Sequence, residues 1–263
     1  KLSTRGIMLD VIIGLAPALV AAVWFFRLQA VTVIAACVIA CVASEWLCNL
    51  IRKKPNSLGD LSAVVTALIL AFSLPPTAPW WLCVIGSVFA IVIAKVLFGG
   101  LGSNIFNPAM AARAFLTASF GMLMTTWTVP APVGEVNYKG TDDYRTMAAV
   151  NAENTYAGSD EIAAITQATP LAWAKSAIKG EVDVKQVNAL LKAAFWGNTG
   201  GCLGETSSLA LIIGGIYLLI RRTISFHIPA AVLIAAVVFA EVFYLIDPGR
   251  YSIPLLQLFS GGM

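Results

Sequence analysis

Long apolar runs, most of them close to twenty residues, constrain this chain more than any other feature. A helix needs about 20 mostly apolar residues to cross the hydrocarbon core of a bilayer. Runs of this kind recur along the sequence with short polar interruptions. Only 12% of the 263 residues are charged, against about 25% in soluble domains, which is too few to cover a soluble surface. The chain is therefore predicted to be an all-α polytopic membrane protein.

The apolar runs define seven complete spans and the beginning of an eighth. The first five form one helix group (residues 1–127), residues 128–202 form a long polar interval, and residues 203–263 form a second helix group. The predicted spans are residues 7–26, 30–51, 58–74, 80–98, 108–127, 203–220 and 228–246, with a truncated eighth from about Ile253.

The distribution of basic residues predicts the orientation of the spans. Cytoplasmic ends of membrane helices carry an excess of Lys and Arg. With the N-terminus inside, only Arg27 and Arg250 lie in short outside connections. The polar interval is then extracytoplasmic, and it holds 8 of the 14 acidic residues. The predicted inside ends carry Lys1, Arg5, Arg52, Lys53, Lys54, Lys95, Arg221 and Arg222.

Charged residues inside the predicted spans are costly and are often functional. Glu45, Asp60 and Glu241 are candidates for a cation or proton route, and Asp10 and Arg113 are further charges within spans. The alternative for each is solvation at a helix end or pairing with a neighbouring helix. Both interpretations stay open from the sequence.

Two glycine-rich segments interrupt the apolar pattern. The one between spans four and five contains Asn104 and Asn107, and the one before span six contains Glu205 and Thr206. Irregular backbone at membrane depth is tolerated only against protein or a cavity, and broken segments in two halves of a chain point to a binding site between repeats. These four residues are candidate cofactor contacts, and a tight turn is the alternative.

The cysteines indicate helix packing more than metal binding. Cys37, Cys41 and Cys48 lie near one face of span two, where small residues favour close helix contact. A cluster or metal site is the alternative interpretation. No CxxC motif occurs, so neither a zinc site nor a disulfide framework is indicated.

Several motifs, in order along the whole chain, resemble the NqrB/RnfD family. The segment Thr166-Gln167-Ala168-Thr169-Pro170-Leu171 is similar to the family's flavin-attachment motif, Ser/Thr-x-Ala-Thr followed by Pro-Leu. Residues 99–110 are similar to its GGLG-x-N-x-FNPAM segment, and residues 203–207 to its LGETS segment. Chain length and motif wording favour the Rnf branch of the family over the quinone reductase branch.

The resemblance implies that FMN is joined through its phosphate to the hydroxyl of Thr169 as a phosphoester. Thr166, Ala168 and Pro170 complete the attachment motif. The resemblance also implies a second, non-covalent flavin (riboflavin) in the membrane part, at a position that the sequence does not assign. Inverted repeats are implied for the membrane helices.

The function implied by the resemblance is that of a membrane electron-transfer subunit in an ion-translocating ferredoxin:NAD oxidoreductase of the bacterial cytoplasmic membrane, coupled to Na⁺ or H⁺ transport. The chain carries no nicotinamide fingerprint, P-loop or iron–sulfur cysteine set. It is therefore expected to need other membrane and peripheral subunits, including flavin and iron–sulfur subunits, and a flavin transferase. The net charge of +3 gives no reason to expect a nucleic-acid partner.

Two other functions remain open at this stage. One is the NqrB-type subunit of the sodium-translocating NADH:quinone oxidoreductase. The other is a solute channel or transporter built on inverted repeats without any redox role, since the family's membrane fold is similar to that of urea transporters. A covalent flavin on Thr169 would separate the redox functions from the transporter.

Overall fold

A computed structural model describes residues 3–53, 57–127, 174–175, 177–179, 184–189, 191–197, 200–205 and 207–259. Within these ranges all regular secondary structure is helical, which confirms the predicted all-α class. A 3₁₀ turn (Leu58–Asp60) precedes the third helix, and a π-helix (Phe89–Val96) continues the fourth. The helices are α1 (Thr4–Phe26), α2 (Leu28–Ile51), α3 (Ser62–Phe72), α4 (Trp80–Val88), α5 (Pro108–Ser119), α6 (Gly121–Met124), α7 (Val184–Ala189), α8 (Leu191–Trp196), α9 (Ser208–Ile220), α10 (His227–Ile246) and α11 (Pro254–Gln257).

Three of the described helices, α1, α2 and α10, are long and apolar enough to cross a membrane. The 23 residues of α1 extend about 35 Å at 1.5 Å per residue, which exceeds the hydrocarbon thickness of about 30 Å. These helices match the first, second and seventh predicted spans within a few residues. The count of seven spans remains a prediction.

The other predicted spans contain shorter helices. α3 has 11 residues and extends only about 16 Å, because its start is displaced by Leu61, whose φ of 64° is left-handed. The fifth predicted span breaks at Phe120, where φ is −131° and ψ is 44°. Neither α3 nor α5 alone is long enough to cross the hydrocarbon core of a bilayer.

The core forms around α2, which packs against α3, α4 and the π-helix. Its inward face carries small side chains, including the buried Ala30, Cys37 and Cys41. Cys83 is buried on α4, and Ser87 Oγ donates to the carbonyl oxygen of Cys37 at 3.4 Å. The cysteines of α2 and α4 thus lie in the packed interior between these two helices, as small residues do at membrane-helix contacts.

A close crossing of α1 and α9 joins the first helix group to the second. A Cβ placed on Gly214 would collide with the carbonyl oxygen of Gly14, and one placed on Gly14 would lie 2.9 Å from Leu218 Cγ. The two backbones approach this closely only because both positions are glycine.

Candidate functional site

A buried ion pair joins α2 to the π-helix near the C-terminal end of α2. Lys95 Nζ lies 2.8 Å from Oε2 and 2.9 Å from Oε1 of Glu45. Both residues are only 2% exposed. Attraction between two buried charges offsets their desolvation only when the geometry is good and the remaining polar atoms are hydrogen-bonded. The pair therefore depends on further polar partners.

Hydroxyl groups from the chain around the start of α3 supply those partners. Ser57 Oγ donates to Glu45 Oε1 at 2.6 Å and accepts from Asn49 Nδ2 at 3.0 Å. Lys95 Nζ makes its third contact with Ser62 Oγ, at 2.6 Å. These five residues are called the Glu45–Lys95 network below. All three hydrogens of the ammonium group are thereby used.

Asp60 adjoins the network through Ser62. Its Oδ1 atom accepts from the backbone N–H of Ser62 at 2.7 Å and from Ser62 Oγ at 2.6 Å. The first bond satisfies an amide at the start of α3, as a capping side chain does. Because Ser62 also contacts Lys95, an unbroken chain of hydrogen bonds connects Asp60 to Glu45. The structure therefore brings together two of the three predicted ion-route residues.

The third predicted ion-route residue, Glu241, lies elsewhere. It is exposed on α10, and among the described elements α10 does not pack extensively against α2 or the π-helix. A role for Glu241 in ion movement stays a prediction that the network does not support.

The charge pattern does not identify Lys95 as a site residue, and the sequence contains no signal for its polar neighbours Asn49, Ser57 and Ser62. That pattern places Lys95 at the cytoplasmic end of the fourth span, and the structure adds that its side chain is buried and ion-paired. Lys95 lies in the π-helix Phe89–Val96, and such wide turns occur frequently at functional sites. A lysine inside the apolar run of the fourth span, with an acid inside the second span, was the available signal.

The chain after the π-helix forms the first glycine-rich segment, residues 99–107, called the glycine loop below. Gly99, Gly100 and Gly102 have φ values of 117°, 99° and 87°, which side chains with a Cβ rarely adopt. Gly100 N donates to the carbonyl oxygen of Lys95 at 3.0 Å. In the amide orientation that satisfies both side-chain atoms, Asn104 Nδ2 donates to the carbonyl oxygens of Lys95 at 3.3 Å and Gly100 at 2.9 Å.

Asn107 ends the glycine loop and begins α5. Its Oδ1 atom accepts from Ala109 N at 3.0 Å, and Pro108 occupies the first helical position, so the predicted cap is confirmed. In the described part of the chain, Asn107 Nδ2 and the backbone N–H groups of residues 104–107 have no hydrogen-bond acceptor. Phe106 is 70% exposed and Ile105 67%. The loop thus presents open donors beside apolar side chains.

The described part of the second glycine-rich segment, residues 200–205, forms a packed turn. Leu203 N donates to the carbonyl oxygen of Leu74 at 3.1 Å, and Gly204 N donates to that of Phe72 at 2.9 Å. These bonds satisfy acceptors at the C-terminal end of α3. A Cβ on Gly204 would lie 2.7 Å from Phe72 Cβ, so the close approach requires glycine. Glu205 is half-buried in the same turn, and the tight turn is therefore the interpretation that the structure supports.

Arg113 on α5 reaches the same turn. Its Nη2 atom donates to Cys202 Sγ at 3.6 Å, and burial raises the pKa of the Cys202 thiol to about 12. The span pattern predicts Arg113 near the cytoplasmic end of span five and Cys202 at the outer boundary of the polar interval. The folded chain thus places Arg113, on the first half of α5, against the turn that precedes α9.

A second buried carboxylate, that of Asp10, links α1 to the end of α9. Arg221 Nε lies 3.2 Å from Asp10 Oδ1, Tyr217 donates to the same oxygen at 3.3 Å, and Thr223 donates to Oδ2 at 3.2 Å. The hydrogen bond to Asp10 raises the pKa of Arg221 above its usual value. Of the two expectations for Asp10, pairing with a neighbouring helix is the one found.

The flavin-attachment motif lies outside the described residues. Thr166, Ala168, Thr169 and Pro170 belong to it, and Thr206 in the second glycine-rich segment is likewise outside. The evidence for their predicted roles comes from the sequence alone.

Comparison with known proteins identifies the family. The chain is 41% identical, over 100% of its length and 70% of the relative's, to a subunit of the Na(+)-translocating ferredoxin:NAD(+) oxidoreductase complex of Acetobacterium woodii. It is 36% identical to a subunit of the ion-translocating oxidoreductase complex of Halorhodospira halophila, over 99% of this chain and 72% of that one. The corresponding subunit of Rhodobacter capsulatus is 39% identical, with 97% and 70% covered. Since the sequence model of the NQR2, RnfD, RnfE family matches residues 1–263, the chain belongs to that family.

Proposed function

We propose that this protein is the membrane-embedded, flavin-carrying subunit of an ion-translocating ferredoxin:NAD oxidoreductase. The observation that carries the proposal is the family match over residues 1–263, with relatives named as one particular subunit of such complexes. Electrons pass through FMN attached to Thr169, and their transfer is coupled to the movement of Na⁺ or H⁺. Nicotinamide and iron–sulfur chemistry belongs to other subunits.

The attachment residue is the one that the resemblance to the family's motif implies, and the chemistry of the linkage suits it. A phosphoester to a threonine hydroxyl tethers FMN by its phosphate and leaves the ring free for electron transfer, while protein contacts tune its electronics. Thr169 stands at the modified position of the motif, and Thr166 is the other hydroxyl within it. A flavin transferase acting on the outer side of the membrane would reach the motif if residues 128–202 are extracytoplasmic.

In-gel fluorescence tests the covalent flavin. The complex is produced with its flavin transferase, denatured and separated, and the band of this subunit is viewed under ultraviolet light. We expect fluorescence from the unsubstituted chain and from Thr166→Ala, and none from Thr169→Ala. Loss of fluorescence in Thr166→Ala with retention in Thr169→Ala would show that Thr166, and not Thr169, carries the flavin. A dark band from the unsubstituted chain would favour the transporter function.

The glycine loop is the proposed site of the second, non-covalent flavin. The open N–H groups of residues 104–107 and the Asn107 Nδ2 donor suit the carbonyl and ring-nitrogen acceptors of a flavin. The exposed Ile105 and Phe106 supply apolar surface of the kind that lines cofactor sites. The residues present thus fit the ring, and the flavin would supply one- and two-electron chemistry there.

Asn107→Asp tests this site with little disturbance of the fold. The substitution keeps a side-chain oxygen to cap α5 but replaces the Nδ2 donor with a carboxylate oxygen. We expect the purified complex to release less than half the usual non-covalent flavin on denaturation, with an unchanged unfolding temperature. Full retention of riboflavin by Asn107→Asp would place the second flavin elsewhere.

The Glu45–Lys95 network is the proposed element of ion coupling within this subunit. Glu45 belongs to it and Asp60 adjoins it, and intramembrane acids commonly mark ion or proton routes. The Lys95 ammonium group donates to both carboxylate oxygens of Glu45. A cation or proton that binds to Glu45 would therefore displace this ammonium group. The choice between Na⁺ and H⁺ belongs to the assembled complex.

A further inference from the structure

Lys95 contacts both the Glu45–Lys95 network, through its side chain, and the glycine loop, through its backbone carbonyl. Its side chain ends in the Glu45–Lys95 network, where Glu45 and Ser62 take its three hydrogens. Its carbonyl oxygen faces the glycine loop, where it accepts from Gly100 N at 3.0 Å and from Asn104 Nδ2 at 3.3 Å. One residue is thus anchored in the buried core and bonded to the loop.

We propose that Lys95 is a positioning residue for the flavin bound at the glycine loop, and that Glu45 and Ser62 act on the loop through it. The inference rests on the proposed function, since it takes the loop to be the site of the non-covalent flavin. Lys95 itself touches no flavin in this proposal. It holds the loop backbone in the conformation that leaves the N–H groups of residues 104–107 open.

The backbone around Lys95 explains why its side chain has this influence. Lys95 lies in the π-helix, where the next donor to its carbonyl is the amide of Gly100 and not a residue of a continuing α-helix. Arg52 Nη1 donates to the neighbouring carbonyl of Val96 at 2.7 Å. The helix end is thus held by backbone bonds and by two side-chain contacts, those of Arg52 and Lys95. Releasing the Lys95 ammonium group removes the buried one of these two side-chain contacts.

Glu45 and Ser62 are rigid partners for this purpose. Glu45 lies on α2, which packs against α3, α4 and the π-helix, and Ser62 is fixed by Asp60 at the start of α3. Groups held by packed elements keep a bound group in place, and loosening such outer contacts typically weakens binding about 10- to 100-fold in metal sites. We expect a comparable effect for the loop and its flavin.

The test measures riboflavin affinity apart from stability. The complex is purified with its partners, non-covalent flavin is removed, and riboflavin is titrated back while its fluorescence is recorded. Lys95→Met and Glu45→Gln should each raise the dissociation constant about tenfold. Asp10→Asn is the matched control, because Asp10 is also a buried, ion-paired carboxylate but contacts Arg221 and not the loop. It should leave the constant unchanged.

The double variant Glu45→Gln with Lys95→Met distinguishes two roles of the ion pair. One is positioning of the glycine loop, and the other is mutual neutralisation of two buried charges. Each single variant leaves one buried charge uncompensated, whereas the double variant leaves none. We expect the double variant to recover the unfolding temperature and to keep the raised dissociation constant. Recovery of both quantities would show that the pair only neutralises charge, which would overturn the inference. Where Lys95→Met does not fold, Ser62→Ala removes one acceptor from Lys95 and should raise the constant about threefold, less than loss of the whole anchor.

The outcomes distinguish this inference from the proposed flavin site. Normal affinity in Lys95→Met and Ser62→Ala, with weakened affinity in Asn107→Asp, would overturn the positioning role and leave the site in place. Normal affinity in Asn107→Asp as well would overturn both. Weakened affinity in Asp10→Asn to the same extent would show a general loss of structure and would also overturn the inference.

Discussion

At the scale of single residues, one hydrogen-bonded chain joins two acids that have different local tasks. Asp60 caps α3 through the N–H of Ser62, so part of its role is structural. Glu45 compensates the buried charge of Lys95, and removing one member of such a pair is costly, at about 3–5 kcal/mol. Burial therefore makes Glu45 the more sensitive position.

Glu45→Gln is expected to lower ion transport more than flavin reduction if Glu45 lies on the ion route. The amide keeps the size of the side chain but cannot bind a cation or proton as a carboxylate does. The measurement compares ion uptake with flavin reduction in the complex reconstituted into vesicles. Asp10→Asn serves as the control, since it removes a buried carboxylate outside the network. Riboflavin is supplied well above its dissociation constant in both assays, so that a weakened flavin site does not lower the reduction rate. Equal loss of both rates, or of neither, would then return Glu45 to a structural role.

At the scale of elements, helix length and glycine positions determine which helices and turns contact each other. α3 and α5 have 11 and 12 residues, and both contact the turn of residues 202–204, α3 through Phe72 and α5 through Arg113. Gly204 packs on Phe72 at the end of α3, and Gly14 packs on Gly214 where α1 crosses α9. These contacts rest on the absence of a Cβ.

The neighbouring pair Gly214 and Gly215 offers a test of the α1–α9 crossing. A Cβ on Gly214 would collide with the Gly14 carbonyl oxygen, whereas one on Gly215 meets nothing within 4 Å. Gly214→Ala should reduce stability by about 1–3 kcal/mol, as overpacking does. Gly215→Ala should be neutral or stabilise by up to about 1 kcal/mol. Thermal unfolding in detergent compares them, and equal effects would contradict the crossing.

At the scale of the whole molecule, the two helix groups predicted from the sequence are joined at α1 and α9. The glycine crossing brings the helices together, and Asp10 with Arg221, Tyr217 and Thr223 fastens one end of the contact. The first helix group therefore packs against the second, and buried residues of both groups belong to one hydrophobic core.

Cysteine labelling tests the predicted orientation of the whole chain. With a membrane-impermeant maleimide, Ser159→Cys in the polar interval should react in intact cells. Arg5→Cys should react only after the membrane is opened. Cys48→Ser is the background, because Cys37, Cys41, Cys83 and Cys202 are buried and Cys48 is partly exposed. Labelling of Arg5→Cys in intact cells would show that the N-terminus lies outside, which would contradict the predicted topology.

Composition and short motifs are sufficient to predict the membrane class, the helical fold and the family, and the resemblance to that family implies Thr169 as the flavin attachment residue. Each of these signals is contained in apolar runs or in a few consecutive residues, so no knowledge of distant contacts is needed. The cap at Asn107 is predictable for the same reason, because it depends on its immediate neighbours along the chain.

The neutralisation of Glu45 by Lys95 emerges only from the folded chain, because the two residues lie 50 positions apart on different helices. The same holds for the difference between the open glycine loop and the second glycine-rich turn, which is packed against α3. A glycine-rich run has the same local composition in both cases. What lies against it depends on helix lengths and crossings, and these follow from packing across the whole core.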